Sequence, residues 1–222
     1  MTDISFYMPC LNEEINVVSS LNTIINLCKK SEVSNFEILI FNDGSKDNSK
    51  NIISNFINKN NMQDKIKLIN NERTLGLGYN YIEGAYMASG KFYIMVCSDN
   101  SEDENNLLKI ISLRGKADMV IPNFANNDNR NFLRRKLSRL FTLIVNLLSG
   151  NNIKYYNGVV LHKTYNVRRW HPLSCGFGYQ AELITNLISV NKSYIEVEIE
   201  NKDRDEGISR AFKMLNLLSI TH

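Results

Sequence analysis

Short apolar runs and longer amphipathic segments alternate through the first half of the chain. Ile4–Pro9 (ISFYMP) reads as a buried strand, and the segment from Glu13 to about Lys30 as an amphipathic helix behind it. Phe36–Phe41, Lys65–Ile69, Phe92–Cys97 and Ala117–Pro122 have the length and the aromatic or β-branched content of further strands. Between them, Asp47–Asn58, Gly78–Ser89 and Glu102–Leu113 carry the helical period. Strands joined by crossover helices pair in parallel, and a parallel sheet is covered by helices on both faces.

After Pro122 the rhythm breaks. A long basic and apolar helix is predicted over about Asn131–Ser149, preceded by a polar loop at Asn126–Asn131. A strand at Gly158–His162, a helix at Tyr179–Val190, a strand at Tyr194–Glu200 and a short amphipathic tail at Ser209–Ser219 follow. No repeat or low-complexity linker divides the chain. The pattern predicts one α/β domain over residues 1–222, with a mostly parallel central sheet and a divergent C-terminal half.

The bulk properties narrow the function classes. A chain of 222 residues fits one domain that buries roughly 70–75% of its unfolded surface. A net charge of +3 is too weak to argue for nucleic acid. Arg130, Arg134, Arg135, Lys136 and Arg139 nevertheless crowd one stretch. Such a run is either a solvated helix face or a seat for phosphate or an anionic membrane surface. Cys10, Cys28, Cys97 and Cys175 form no CxxC pair and have no histidine at metal-ligand spacing, so they read as reduced thiols of a cytoplasmic protein. The start, MTDISFYMPC, predicts no signal peptide. Leu140–Leu148 is interrupted by Thr142 and Asn146 and falls well short of the ~20 apolar residues of a span. The expectation is a soluble or peripheral protein.

Ligands of an open parallel sheet bind beyond the carboxyl ends of its strands. The predicted strand exits carry Pro9-Cys10-Leu11-Asn12-Glu13-Glu14, Asn42-Asp43-Gly44-Ser45-Lys46-Asp47, Asn71-Glu72-Arg73 before Gly76-Leu77-Gly78, and Ser98-Asp99-Asn100-Ser101. Singly, each has a structural explanation: Asp43-Gly44 is a turn dipeptide, and Asn12, Ser45, Asp47, Asp99 and Ser101 are ordinary helix caps. Together they outline the rim of a polar site. Gly76-Leu77-Gly78 lacks the GxxxxGK[ST] of a phosphate loop and the GxGxxG of a dinucleotide fold. No GxSxG elbow is present, and His162, His171 and His222 have no evident nucleophile partner, which disfavours a hydrolase.

In order and spacing, Pro9-x-x-Asn12-Glu13, Asn42-Asp43-Gly44-Ser45-x-Asp47, Asn71 to Gly90 and Ser98-Asp99 resemble a family-2 glycosyltransferase with the GT-A fold, a single Rossmann-like domain. Arg134-x-x-x-Ser138, Tyr156-Asn157-Gly158, Gly176 to Glu182, Glu196-Val197 and Arg204-x-x-Gly207-x-Ser209 resemble its polyprenyl-phosphate branch, which includes dolichol-phosphate mannose synthase. The resemblance implies a nucleotide-sugar-binding half (about 1–122) and an acceptor half (about 123–222). It implies an inverting enzyme that moves a hexosyl unit from a UDP- or GDP-sugar to polyprenyl phosphate with Mg²⁺ or Mn²⁺. Pro9, Asn12, Glu13, Asp43, Ser98 and Asp99 would then bind the donor, Asp99 also holding the metal. Arg134, Ser138, Arg204 and Ser209 would face the acceptor or the phosphates, and Asp99 and Arg204 would be catalytic. Arginine suits that task because its planar fork grips phosphate bidentately. The implied location is cytoplasmic, free or in peripheral contact with the inner membrane face.

The chain departs from the family pattern at one place. Cys97 stands where the first Asp of the family's DxD motif belongs, and a thiol is a poor ligand for a hard cation. Cys97 then reads as the last buried residue of its strand, and cation binding rests on Asp99, diphosphate and water, helped by Glu102 or Asp103. Glu182 occupies the family position in GFGYQAE and reads as structural or loop-positioning, since buried carboxylates usually need partners. A phosphate acceptor, already an anion, needs no general base. If the long basic helix docks on a membrane, its apolar face is Leu137, Leu140, Phe141, Ile144 and Leu148; the alternative is that this face packs on the sheet. Two further readings stay open on these residues: a transferase that extends a surface glycan on a sugar hydroxyl, and a non-catalytic sugar-nucleotide-binding module.

Overall fold

The computed structural model describes residues 2–124, 132–170, 176 and 178–200, apart from the side chains of residues 133 and 134. Along the chain run β1 (Ile4–Cys10), α1 (Val17–Lys30), β2 (Phe36–Asp43), α2 (Ser49–Lys59), β3 (Ile66–Asn71), α3 (Leu77–Met87), β4 (Phe92–Met95), α4 (Glu104–Ser112) and β5 (Met119–Phe124). Then follow α5 (Phe132–Ser149), β6 (Leu161–Lys163), α6 (Thr164–Arg168), α7 (Tyr179–Ser189) and β7 (Tyr194–Ile199). The seven strands form one sheet in the order β3-β2-β1-β4-β6-β5-β7. Only β6 runs antiparallel to its neighbours, β4 and β5; the other pairings are parallel. The α/β class and the mostly parallel sheet are as the hydrophobic pattern predicts.

Successive residues of a strand face opposite sides, so each strand feeds two cores. Ile4, Phe6 and Met8 with Ile38 and Ile40 meet Leu21, Ile24 and Ile53 and Leu107 of α1, α2 and α4. Tyr7, Leu39 and Phe41 point the other way, toward Tyr81 of α3, Val167 of α6 and Leu183 of α7. The predicted elements differ from the observed ones mainly at their ends. α1 starts at Val17 because Glu13–Asn16 form a turn, with Asn16 and Val17 N–H donating to the Glu13 carbonyl. β4 stops at Met95, so Cys97 is not its last buried residue but lies half-buried in the exit loop. The strand expected at Gly158–His162 forms only at Leu161–Lys163, and α6 was not signalled by any long periodic run. The loop expected at Asn126–Asn131 and the tail at Ser209–Ser219 lie outside the described residues.

The second core is built around aromatic rings. Tyr81 stacks at 4.9 Å from Tyr93 and 4.8 Å from Tyr179, and Tyr7 lies 5.4 Å from both Tyr81 and Phe41. The buried hydroxyl of Tyr93 donates to the Tyr81 carbonyl at 2.8 Å. This packing requires a glycine in α3, since a Cβ on Gly84 would come within 2.4 Å of Tyr93 Oη and 3.0 Å of the Tyr7 ring. Gly84→Ala is expected to destabilise the fold by about 1–3 kcal/mol through overpacking, measured by urea unfolding. Adding Tyr93→Phe, which removes the clashing oxygen, should return part of that loss, and strict additivity of the two changes would refute the clash.

His162 on β6 is fully buried, and neither ring nitrogen has a hydrogen-bond partner. Burial pushes its pKa down from 6.5 to about 3. The unfolded chain therefore binds one more proton than the folded chain between these values, and stability falls as the pH drops below 6.5. Going from pH 7.5 to pH 5, this residue should cost the wild type about 2 kcal/mol relative to His162→Leu. Parallel stability–pH curves for the two proteins would contradict that expectation.

Candidate functional site

The loops that leave β1 and β2 are laced together by their own polar groups. Asn12 N–H donates to Ser45 Oγ at 2.9 Å, and Lys46 N–H returns a bond to Asn12 Oδ1 at 2.7 Å. Glu13 N–H donates to Ser49 Oγ at 2.9 Å, Glu14 N–H to Asp47 Oδ2 at 3.0 Å, and Asn48 N–H to Glu14 Oε2 at 2.8 Å. Asn12 adopts φ +52°, a left-handed conformation that asparagine tolerates better than most residues. Asn12, Ser45, Asp47 and Ser49 thus fix the shape of the rim.

Asp43, at the end of β2, organises the next loop. Its Oδ1 accepts from Asn71 Nδ2 at 2.8 Å and from Leu75 N–H at 2.9 Å, and its Oδ2 accepts from Gly76 N–H at 3.1 Å. Burial pushes this carboxyl up, but the bonds from Leu75, Asn71 and Gly76 outweigh it and hold the pKa below its ordinary value. Gly44 follows with φ +75°, and a Cβ there would meet the Arg73 and Thr74 backbone at 2.9 Å. Beside this clamp a pocket of about 480 Å³ is lined by Asn70, Asn71, Glu72, Arg73 and Leu75. The sequence marks Asn71 and Gly76, but only the fold reveals that Asp43 holds the loop between them.

The third exit leaves β4, which pairs with β1 on the side opposite β2. The chain order reverses between β1 and β4, so this is the topological switch point where α/β sheets receive ligands. Val96 N–H continues the pairing to the Tyr7 carbonyl at 2.9 Å, and Ser98 Oγ donates to the Pro9 carbonyl at 2.6 Å. Asp99 Oδ1 accepts from Ser101 N–H at 3.1 Å, and Asn100 turns the chain at φ +53°. One ligand atom from each of Cys97, Asp99 and Glu102 then lies within 4.8 Å of the others. Glu102 Oε2 is closed off from solvent and has no hydrogen-bond partner. Burial, with the Asp99 charge beside it, pushes Glu102 up to about 7 despite a hydrogen bond from Cys97.

The neighbouring acids have other tasks. Asp103 caps α4, accepting from Asn105 N–H at 2.9 Å and Asn106 N–H at 3.2 Å. Glu104 pairs with Lys30 at 2.8 Å. Carboxylate oxygens suit a hard divalent cation, and an orphaned buried carboxylate oxygen beside a second carboxylate fits one. The exit loop of β4 therefore accommodates such an ion better than the thiol at position 97 suggests.

Of the expected site residues, Pro9, Asn12, Glu13, Asp43, Ser98 and Asp99 gather at the carboxyl ends of β1, β2 and β4. Ser138 is half-buried in α5. The side chain of Arg134, and Arg204 and Ser209 altogether, lie outside the described residues. Of the apolar face expected on α5, Leu137, Leu140, Ile144 and Leu148 are exposed, and only Phe141 turns inward instead. Phe141 and Val145 pack into the second core, and Asn146 receives Ile153 N–H at 3.1 Å. Leu137, Leu140, Leu143, Ile144, Leu147 and Leu148 face solvent, Leu147 at 74% and Leu148 at 85% exposure. Lys136 and Arg139 are exposed beside Leu137 and Leu140 in the first half of the helix. No helix among the described residues is long and apolar enough to cross a membrane.

A mostly parallel sheet with polar strand exits and an acidic pair at its switch point defines an open α/β protein whose ligands bind beyond the carboxyl ends of the strands. Within that class, the chain belongs to glycosyl transferase family 2, whose family model matches residues 5–177. Among curated proteins it is 28% identical over 166 residues to a dolichyl-phosphate β-glucosyltransferase of Dictyostelium discoideum, covering 68% of this chain and 50% of that protein. It is 25% identical over 165 residues to the dolichyl-phosphate β-glucosyltransferase ALG5C of Trichomonas vaginalis, covering 68% and 48%. The chain thus spans about half the length of these relatives. Among solved structures, glucosyl-3-phosphoglycerate synthase of Mycobacterium tuberculosis in complex with Mn²⁺, UDP and phosphoglyceric acid superposes with a TM-score of 0.71 at 14% identity. That match covers 93% of this chain and 72% of the other. The fold is the GT-A fold.

Proposed function

We propose that this chain transfers a hexosyl unit, with inversion, from a UDP- or GDP-sugar to a polyprenyl phosphate. The observation that carries the reading is the acidic pair Asp99 and Glu102 at the β1–β4 switch point, set against the interlocked loops of β1 and β2. In this reading residues 1–122 form the donor half, with Pro9, Asn12, Glu13, Asp43 and Ser98 around the nucleoside, and 123–222 the acceptor half. Asp99 holds Mg²⁺ or Mn²⁺, which as a Lewis acid offsets charge on the departing diphosphate. An acceptor phosphate oxygen attacks the anomeric carbon, the bond from that carbon to the diphosphate oxygen breaks, and the nucleoside diphosphate leaves. The acceptor is already an anion, so no side chain has to remove a proton. Arg134, Ser138, Arg204 and Ser209 orient the phosphates, and Arg204 bears on the transferring group.

Two observations support a lipid-linked acceptor. The curated relatives named above are dolichyl-phosphate glucosyltransferases. Exposed leucines along α5, with Lys136 and Arg139 beside them, suit peripheral contact with an anionic membrane face; the side of contact would be cytoplasmic. The test is transfer of labelled sugar from UDP-glucose, UDP-galactose or GDP-mannose to a short polyprenyl phosphate in detergent. Label in the organic phase, lost in Asp99→Ala, is the expected result. Transfer only to a soluble glycan would replace the acceptor, and nucleotide binding without turnover on any acceptor would leave a binding module.

A further inference from the structure

Position 97 carries a thiol, yet the exit loop of β4 still presents two carboxylates at one point. We infer that Glu102 is the second carboxylate ligand of the divalent cation, taking over in space the task that Cys97 does not perform in sequence. The inference rests on the proposed donor site and adds to it which residue completes the cation seat.

The assignment comes from what the neighbouring acids already do. Asp103 is committed to two backbone N–H groups of α4, and Glu104 to Lys30. Glu102 accepts a hydrogen bond from Cys97, but its Oε2 is shut off from water and has no donor. A buried carboxylate oxygen without a partner is costly, and a cation shared with Asp99 removes that cost. The ligand atoms of Cys97, Asp99 and Glu102 lie within 4.8 Å of one another, so one ion reaches both carboxylates. A thiol is a poor ligand for a hard cation, which makes Cys97 a bystander for Mg²⁺ and Mn²⁺. The backbone between Asp99 and Glu102 includes the left-handed Asn100 at φ +53°, and their ligand atoms lie within 4.8 Å of each other.

A double-mutant cycle tests this, with Mn²⁺ uptake in the presence of UDP or GDP read from the water-proton relaxation enhancement of the protein-bound ion. Glu102→Gln keeps the shape and removes the charge. It should weaken Mn²⁺ uptake by roughly 10–100-fold, the range seen when even an outer-sphere partner of a metal is lost. Cys97→Asp should restore most of that loss in the Glu102→Gln background and gain little where Glu102 is present. That non-additivity marks two residues that serve the same ion. Wild-type affinity in Glu102→Gln, or an equal gain from Cys97→Asp in both backgrounds, overturns the inference. If Asp99→Ala still abolishes uptake in that case, the donor site itself stands. A wild type that takes up no Mn²⁺ with either nucleotide overturns both. The Cys97→Asp single variant gives a reading even if Glu102→Gln fails to fold, because a large gain there means that Glu102 was not supplying the ligand.

Discussion

Thermal unfolding of the wild type should rise by about 5–11 °C with saturating UDP or GDP plus Mn²⁺, and Asp99→Ala should show no such rise. A ligand at 100 times its dissociation constant stabilises the folded state by about 2.7 kcal/mol, and each kcal/mol moves the midpoint of a domain this size by about 2–4 °C. Asp99 is placed to matter because it sits at the switch point, within 4.8 Å of Glu102 through their ligand atoms. It also has a structural duty, accepting from Ser101 N–H at 3.1 Å. Asp99→Ala should therefore lower the unliganded midpoint slightly, by the worth of one hydrogen bond, about 1 kcal/mol. Asp99→Asn separates the two effects, since it keeps an acceptor and removes the charge. Its unliganded midpoint should match the wild type while the metal-dependent shift is lost. A wild type that gains nothing from either nucleotide would end the donor-site reading.

The second large effect concerns α5. The wild type should sediment with vesicles that contain anionic lipid, and Leu143→Gln combined with Leu147→Gln should weaken that binding by roughly 100-fold. The estimate takes about 1.5 kcal/mol for each leucine removed from water, about 3 kcal/mol together. Both side chains are exposed on the outward face, away from Phe141 and Val145 in the core, so the fold should be unaffected. The contribution of Lys136 and Arg139 should appear as weaker binding at raised salt. No sedimentation of the wild type, or equal sedimentation of the variant, would remove the membrane from the proposed function and leave a soluble acceptor as the better reading.

The physical reason that the site was partly legible lies in the parallel sheet. Strands buried on both faces must be written as apolar runs, so β1, β2 and β4 announce themselves, and the turn-forming residues after them mark the exits where ligands bind. Pro9, Asn12, Asp43 and Asp99 were readable for that reason. What those side chains do with one another was not. Asp43 clamping Leu75 and Gly76, or Asn12 exchanging bonds with Ser45 and Lys46, joins residues about 30 positions apart. No local pattern encodes such a pairing. β6 was misplaced because a three-residue strand between antiparallel neighbours has too few positions to display a period.

Hydrophobic periodicity and the chemistry of the strand exits thus determined the α/β class, the mostly parallel sheet and the end of the sheet at which a nucleotide would sit. Those features are repeated in many residues, and each is local along the chain. Tertiary structure alone decided which of the acids after β4 faces Asp99, since Asp103 and Glu102 are adjacent in sequence yet one caps a helix and the other is left with an orphaned oxygen. It also decided which side of α5 is covered. An amphipathic helix with apolar residues on more than one side can bury any of them, and only the shape of the core selected Phe141 and Val145 and left Leu143 and Leu147 in the open.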